Sequence, residues 1–337
     1  MKKTTSAKTA LLASYGLIAF TGMAAAQSTV ELYGQVDVGV THANNGTSIN
    51  PGRGPVGQWA LQQGTASRLG FKGQEDLGGG LYARFNLEHR FFGDTGMQDS
   101  GAFFKGVSTV SLASAQWGEV YMGRDVVPAF YLTCTADPTC WSFTSQPGQP
   151  YAYANYNGSV AADNSGIRRN NSVGYRTPSF RGLSAEVAYA FGEDIRRSTK
   201  GFNVSYNQGP VYAAIGYDGA ASDNRLWILA GGYDFGVVRP LFTYSDAKGG
   251  ATTPGYDAKS ASLTFVVPIS RGKVFLGAGR LVAHTGSGGT DVKSNKFYVG
   301  MDHNLSKRTM LYANIGSAKS TDLTRSTAFD FGIRHKF

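Results

Sequence analysis

Six basic side chains in the first half of the chain have the spacing of an anion-attracting cluster. Arg68 and Lys72 lie in one segment of alternating apolar residues, and Arg84 and Arg90 lie in the next. Residues an even number apart in a β-strand point to the same face, so each pair shares a face. Guanidinium and ammonium groups on the wall of a narrow space concentrate anions and repel cations. The full set is Arg68, Lys72, Arg84, Arg90, Lys105 and Arg168.

Taken singly, each of these residues is equally well interpreted as a solvated charge on a polar wall. Glu88, Glu119 and Glu186 are available as pairing partners. Taken together, the six basic residues favour anion attraction, because the long segment 125–169 contains few acidic residues that could neutralise them, chiefly Asp137 and Asp163.

Cys134 and Cys140 are separated by five residues in that same segment. We predict a local disulfide, because the chain carries a secretory leader and so enters an oxidising compartment. A metal site needs about four ligands, and no histidine lies near the pair. The other histidines are scattered, and no glycine-rich phosphate loop opens a helix. We expect no metal, no cofactor and no nucleic-acid partner.

The elements that position these side chains are predicted to be β-strands. In the last one, Phe329, Phe331 and Ile333 alternate with Asp330 and Arg334, so one face suits lipid and the other water. The same alternation predicts sixteen strands in the chain. Those that matter below are expected near 30–41, 59–74, 80–93, 102–113, 117–124, 170–177 and 327–337.

The connections between these strands alternate in length. Short ones include 75–79 and 178–182, whereas long ones include 42–58 and 125–169. Outer-membrane barrels have short turns at the periplasmic end and long loops at the outer end. Sixteen strands with polar inward positions leave an aqueous lumen. We therefore predict an all-β fold, a transmembrane antiparallel 16-stranded β-barrel.

The compartment is indicated by the first 26 residues. Lys2, Lys3 and Lys8 precede a mostly apolar run, Ala10–Phe20, and the small residues Ala24–Ala26 follow it. This is the pattern of a cleaved signal peptide. We predict a leader over 1–26 and one barrel domain over 27–337. The leader takes three of the 32 Lys and Arg residues, so 29 remain against 23 Asp and Glu, a formal charge of +6. Beyond it no apolar run approaches the roughly 18 residues of a membrane-spanning helix.

The segment 125–169 is too long for an ordinary connection, since structureless loops beyond about 15 residues are uncommon in compact domains. Its aromatic residues give it a packing surface, and four prolines stiffen it. Our hypothesis is that it folds into the barrel and narrows the lumen. The alternative is an external loop that shields the rim or contacts a neighbouring subunit.

These features resemble the general porin family of beta-proteobacteria. The resemblance runs from Gln27 to Phe337 and is strongest at Val30–Gly34, Ser67–Leu81, Asn170–Tyr175 and Gly332–Phe337. It implies a homotrimer in the outer membrane, in contact with lipids and lipopolysaccharide. It also implies that the third loop forms the constriction and that the barrel-assembly machinery reads Phe337 as a signal.

The resemblance further implies passive diffusion of small hydrophilic solutes and ions. In anion-preferring members a few arginines line the constriction, and Arg68 and Arg168 match two of them. A third position departs from the family, because Gly106 stands where arginine is frequent, with Lys105 beside it. The two cysteines are also unusual for the family.

Two other classes of function remain open from the sequence. A barrel enzyme with a catalytic site at the rim would need a histidine to orient its nucleophile, and the five histidines have no convincing partner. A ligand-specific channel would differ from a general porin in the residues that line its lumen, and a surface adhesin would differ from it in its exposed loops.

Overall fold

The computed structural model describes residues 28–48, 56–99, 101–142, 144, 154, 156, 167–193, 198–219, 224–249, 255–285 and 291–337. The predicted leader over 1–26 and Asp163 lie outside these residues.

The described part contains seventeen β-strand segments and one helix. The first half of the chain contributes β1 (Thr29–Ala43), β2 (Trp59–Gln62), β3 (Ser67–Gly78), β4 (Leu81–Phe91), β5 (Val107–Ser114), β6 (Gly118–Val126), α1 (Pro128–Thr135) and β7 (Arg168–Arg176). The second half contributes β8 (Leu183–Ala190), β9 (Thr199–Gln208), β10 (Val211–Gly219), β11 (Arg225–Tyr233), β12 (Arg239–Lys248), β13 (Tyr256–Ile269), β14 (Gly272–Thr285), β15 (Asp291–Asn304), β16 (Thr309–Ser320) and β17 (Ser326–Lys336).

The strands close into a barrel at β1. One edge of β1 pairs antiparallel with β17, from Gln35 opposite Lys336 to Ala43 opposite Ala328. The other edge pairs with β3 and then with β2. Since β2 and β3 lie end to end along the same edge, they are two parts of one barrel strand. The barrel therefore has sixteen strands, and that prediction is confirmed.

The second barrel strand is interrupted at residues 63–66. The buried Asp37 carboxylate accepts hydrogen bonds from the Gly64 and Thr65 amides at 3.0 and 3.1 Å. These amides are thereby diverted from the backbone ladder. The sequence did not predict this break, because the alternation of side chains continues on either side of it.

The starts of the fourth and sixth barrel strands also differ from the prediction. The fourth barrel strand, β5, begins at Val107 rather than at residue 102. The Lys105 and Gly106 carbonyls instead accept hydrogen bonds from the Arg124 and Arg168 side chains, at 2.9 and 2.8 Å. The sixth, β7, begins at Arg168 and not at residue 170.

The predicted lipid and water faces are confirmed. Along β17, Phe331 and Ile333 are exposed on the outside, whereas Ala328 and Asp330 are buried inside. Connections of two to six residues separate the strands at one end, and longer ones generally do so at the other. No helix within the described ranges is long and apolar enough to cross a membrane.

The described part of the long loop folds into the lumen, as predicted, and includes α1, a helix that the sequence did not predict. The helix lies against the inner wall at β10, where a Cβ on Gly216 would be only 2.8 Å from the Leu132 side chain. The Asn203 side chain donates to the Pro128 carbonyl at 2.8 Å. Apolar residues from the loop and the wall bury one another in two clusters. On the opposite side of α1, an open part of the lumen borders β3–β7.

Candidate pore constriction

Several predicted basic residues meet around one carboxylate on the inner wall. Glu88, on β4, lies 2.6 Å from Arg90 Nη2 and 3.7 Å from Arg68 Nε. The Arg68 guanidinium also donates to Gln35 at 3.3 Å, and Tyr33 donates to Glu88 at 3.4 Å. Register explains the meeting, because Arg68 on β3 is directly opposite Arg90 on β4.

Arg168 joins this cluster from the sixth barrel strand. Its Nε donates to the Gly106 carbonyl, and its charge interacts with those of Arg90, Glu88 and Arg124. Gly106 N in turn donates to the Glu88 carbonyl at 2.9 Å. A Cβ at position 106 would collide with the Glu88 carboxylate. Gly106, at the position where the family resemblance leads us to expect arginine, thus leaves room for the Glu88 side chain. Its carbonyl orients Arg168.

Arg124 is a further member that the sequence did not predict. Its Nη1 donates to Asn170 Oδ1 at 2.5 Å, and its Nε donates to the Lys105 carbonyl. Val120 and Met122 face outward, so strict alternation along β6 would also place Arg124 on the outside. The pairing of β6 with β7, however, shifts register between Gly123 and Asp125. A β-bulge of this kind re-aims the side chains that follow it. We call Arg68, Arg90, Arg124, Arg168 and Glu88 the constriction cluster. Arg68 and Arg90 pair with Glu88, and the charge of Arg168 interacts with those of Glu88, Arg90 and Arg124.

The remaining predicted basic residues lie outside this cluster. Lys72 pairs with Glu31 at 3.1 Å, and Arg84 donates to Gln74 at 2.7 Å, both nearer the turn end of the lumen. Lys105 pairs with Asp99 at 2.9 Å ahead of β5. Lys72, Arg84 and Lys105 therefore match the alternative interpretation given above, in which a single basic residue is a solvated charge with a local partner.

A polar cavity of about 460 Å³ opens between the helix of the loop and the near wall. Tyr131 of α1 lines it from the loop side. The wall contributes charged and polar residues that include Lys72, Arg84, Asn86, Ser111, Glu119 and Arg176.

An acidic cluster borders that cavity. The Arg176 guanidinium lies 2.6 Å from Asp125, 3.1 Å from Glu186 and 3.5 Å from Glu119. It also stacks over the Tyr121 ring at 4.1 Å. Three carboxylates share one guanidinium here, so negative charge lies on the turn side of the arginine-rich constriction. Glu119 and Glu186, considered above as partners for the predicted basic residues, are held by Arg176.

Of the two loop acids, only Asp137 is described, and its carboxylate faces the loop itself. It accepts hydrogen bonds from Thr139 N and Oγ1, both at 2.8 Å, and from Trp141 N at 3.1 Å. Burial raises the pKa of Asp137, and the hydrogen bonds from Thr139 and Trp141 act in the opposite direction. The carboxylate therefore stabilises a tight turn rather than facing the arginines.

The predicted disulfide between Cys134 and Cys140 is present and closes the turn around Asp137. The Lys273 ammonium, on β14, donates to the Pro138 carbonyl inside this turn. The bridge thus joins the end of α1 to a segment held against the far wall.

Replacing both cysteines with serine should loosen this turn without unfolding the barrel. A bridge over so short a loop stabilises its segment by about 2–3 kcal/mol through chain entropy. We expect greater open-channel current noise and an unchanged thermal midpoint of the barrel. Wild-type protein treated with a reductant should reproduce the double variant, and a quiet current in both would contradict this role.

The C-terminal Phe337 lies at the barrel seam. Its backbone forms a reciprocal pair with Gly34, at 3.1 and 3.2 Å. Its ring covers Gly34, where a Cβ would be 2.7 Å from the ring edge. The assembly-signal role of Phe337 stays a prediction. In the described part of the chain, no group of three or more His, Cys, Asp or Glu side chains could hold a metal ion.

A closed sixteen-stranded barrel with a lipid-facing exterior, a polar interior and an inward loop defines a channel-forming outer-membrane protein. The Gram-negative porin family model matches residues 9–323. The chain belongs to this family and lies in the bacterial outer membrane.

Individual relatives agree with this assignment. Outer membrane porin protein 32 of Delftia acidovorans is 34% identical, with 97% of this chain and 99% of the relative covered. Major outer membrane protein P.IB of Neisseria meningitidis serogroup B is 28% identical, with coverage of 93% and 96%. The anion-selective porin from Comamonas acidovorans superposes with a TM-score of 0.79 at 30% identity, over 92% of this chain and all of that one. The trimer form of OmpT from Vibrio cholerae, at 15% identity, shares the fold with a TM-score of 0.69, over 92% of this chain and 99% of that one.

Proposed function

We propose that this porin is an anion-preferring channel through which small hydrophilic solutes and ions diffuse passively. The observation that carries the proposal is the grouping of Arg68, Arg90, Arg124 and Arg168 with a single carboxylate, that of Glu88, which pairs with Arg68 and Arg90. Four positive charges against one negative charge in a narrow passage create a potential that favours anions. The similarity to an anion-selective porin points in the same direction.

The other predicted features complete this proposal. We infer that residues 1–26 are removed and that residues 27–337 form the mature domain. By family resemblance, the working unit is a homotrimer whose insertion depends on Phe337 and the barrel-assembly machinery. The relatives are porins, which are channels, so we propose no catalytic activity at the rim.

A planar bilayer separating two potassium chloride concentrations tests the anion preference. We expect ohmic conductance in three-step units and a reversal potential of the sign that chloride permeation produces. A reversal potential of the opposite sign would overturn the anion preference. Flux that saturates for one solute class would instead support the ligand-specific channel.

A further inference from the structure

A patch of basic side chains lies on the outer surface of the barrel, near the loop end of β13–β16. Lys259, Arg280, Lys293 and Lys319 occupy one strand each and are all exposed. They share the outward parity of Leu263 on β13 and Ile315 on β16, so they face the membrane and not the lumen. Anion selectivity in the lumen therefore does not account for them.

Register places the four cations in two adjacent rows. In the first, Lys259 is opposite Val282, which is opposite Lys293. Since neighbouring strands are about 4.8 Å apart, the backbones of these two lysines lie roughly 10 Å apart.

The second row begins two residues closer to the middle of the barrel. There Arg280 is opposite Asn295, which is opposite Lys319. A single headgroup with two anionic groups spans such a distance. We call these five residues, Lys259, Arg280, Lys293, Asn295 and Lys319, the basic patch.

The acids around the basic patch do not neutralise it. Asp246 lies 3.9 Å from Lys259, at the margin of an ion pair. Asp257 and Asp291 lie above the patch, where they pair with Lys248 at 3.8 Å and with His284 at 3.0 Å. Among the described residues, no ion pair involves Arg280, Lys293 or Lys319.

The surface directly below the basic patch is apolar. The next two rows towards the membrane centre contain Phe297 and Leu263, followed by Leu276, Val299 and Ile315, all of them exposed. An interface of this kind matches an amphiphile whose anionic headgroup lies above its acyl chains. The loop end of the barrel faces the outer leaflet.

We propose that the basic patch binds the phosphorylated headgroup of the glycolipid of the outer leaflet, with the acyl chains lying on the apolar rows. The proposal rests on the outer-membrane location and not on the anion preference of the lumen. Arginine and lysine both bind phosphate, the arginine with bidentate geometry. Asn295, between two cations, supplies an amide donor for a phosphate or sugar oxygen.

Binding of purified lipid A to the trimer in a neutral detergent tests the proposal. Native mass spectrometry compares bisphosphorylated lipid A with the same lipid after removal of its phosphates. We expect wild-type protein to retain the phosphorylated form at least tenfold more tightly. Equal retention of the two lipids would overturn the proposal without any variant.

A fourfold glutamine variant tests the location of the site. Each basic residue near an anionic surface contributes on the order of fivefold in affinity. We expect at least a tenfold loss in affinity for phosphorylated lipid A from neutralising Lys259, Arg280, Lys293 and Lys319. The matched control neutralises four exposed cations at the turn end, Arg181, Arg271, Lys307 and Arg308.

The control should bind lipid A as wild type does, and unchanged affinity in the patch variant would overturn the assignment. Single-channel conductance of each variant reports whether the barrel has folded. Replacing the four residues with the other basic type, lysine for arginine and arginine for lysine, should keep binding. Loss of the phosphate preference in this charge-conserving variant would contradict recognition by charge. Reversal potentials, measured in parallel, separate a failure here from a failure of the anion-preference proposal.

Discussion

Exchange of Arg68 and Arg168 for glutamine is expected to lower the anion-to-cation permeability ratio roughly fivefold, because a charge-lined channel holds a potential of several kT. The cluster then keeps Arg90 and Arg124 against Glu88, so its excess positive charge falls from three to one. The effect should appear as a reversal potential closer to zero under a salt gradient. Because the loss is electrostatic, the difference between variant and wild type should shrink as salt concentration rises.

The double exchange of Arg181 and Arg271 for glutamine is the matched control for this pair. Arg181 lies exposed on a turn between β7 and β8, where its guanidinium contacts the Phe180 ring at 5.4 Å, and Arg271 lies exposed on the turn between β13 and β14. Their removal subtracts the same two charges outside the lumen. The control should keep the wild-type reversal potential, and an equal shift in both would show that the charge of the whole protein, not the cluster, sets selectivity.

Asp37→Ala is expected to destabilise the barrel by about 3–5 kcal/mol, the usual cost of removing one partner of a buried ion pair. The Asp37 carboxylate is fully buried and accepts from Arg334 Nε at 2.8 Å and from the Tyr312 hydroxyl at 2.7 Å. It also receives the amides of the interrupted second strand. One side chain thus joins β1, β16, β17 and the strand break at the seam where the barrel closes.

The measurement is denaturant unfolding of protein folded in lipid vesicles, supported by gel mobility of unheated against boiled samples. Asp234→Ala is the control, since Asp234 accepts the Gly236 amide at 2.8 Å in an exposed turn. That change should stay within about 0.5 kcal/mol of wild type. An unaltered midpoint for the Asp37 variant would mean that Arg334 and the strand break find other partners.

The alternation of apolar and polar residues was sufficient to predict sixteen strands, their faces and the closed barrel. A barrel strand has lipid on one side and water on the other, so its pattern is imposed residue by residue. The same parity correctly put Arg68 and Arg90 inside. Loop length and aromatic content led to the hypothesis that segment 125–169 folds inward, which its described residues confirm. Cysteine spacing together with the predicted export indicated the disulfide.

Local departures from regular pairing were not predictable in this way. The parity of Val120 and Met122 predicts an outward Arg124, and only the bulge after Gly123 turns its side chain into the lumen. The break at residues 63–66 depends on Asp37, which is distant in sequence. A bulge or a break depends on how a strand pairs with its neighbour, and the alternation within one segment gives no information about that pairing.

The sequence by itself determined that this chain is an outer-membrane barrel, because strand period, loop alternation and the predicted leader are local patterns. It also identified most of the basic residues from which a constriction is built. Only the tertiary structure decided which of them meet. Arg68 and Arg90 pair with Glu88, and Arg168 lies within charge interaction of Glu88, Arg90 and Arg124, whereas Lys72, Arg84 and Lys105 pair elsewhere. The physical reason is register. The neighbours of a side chain in a barrel are set by the alignment of adjacent strands, and Gly106 shows how one missing side chain changes that neighbourhood.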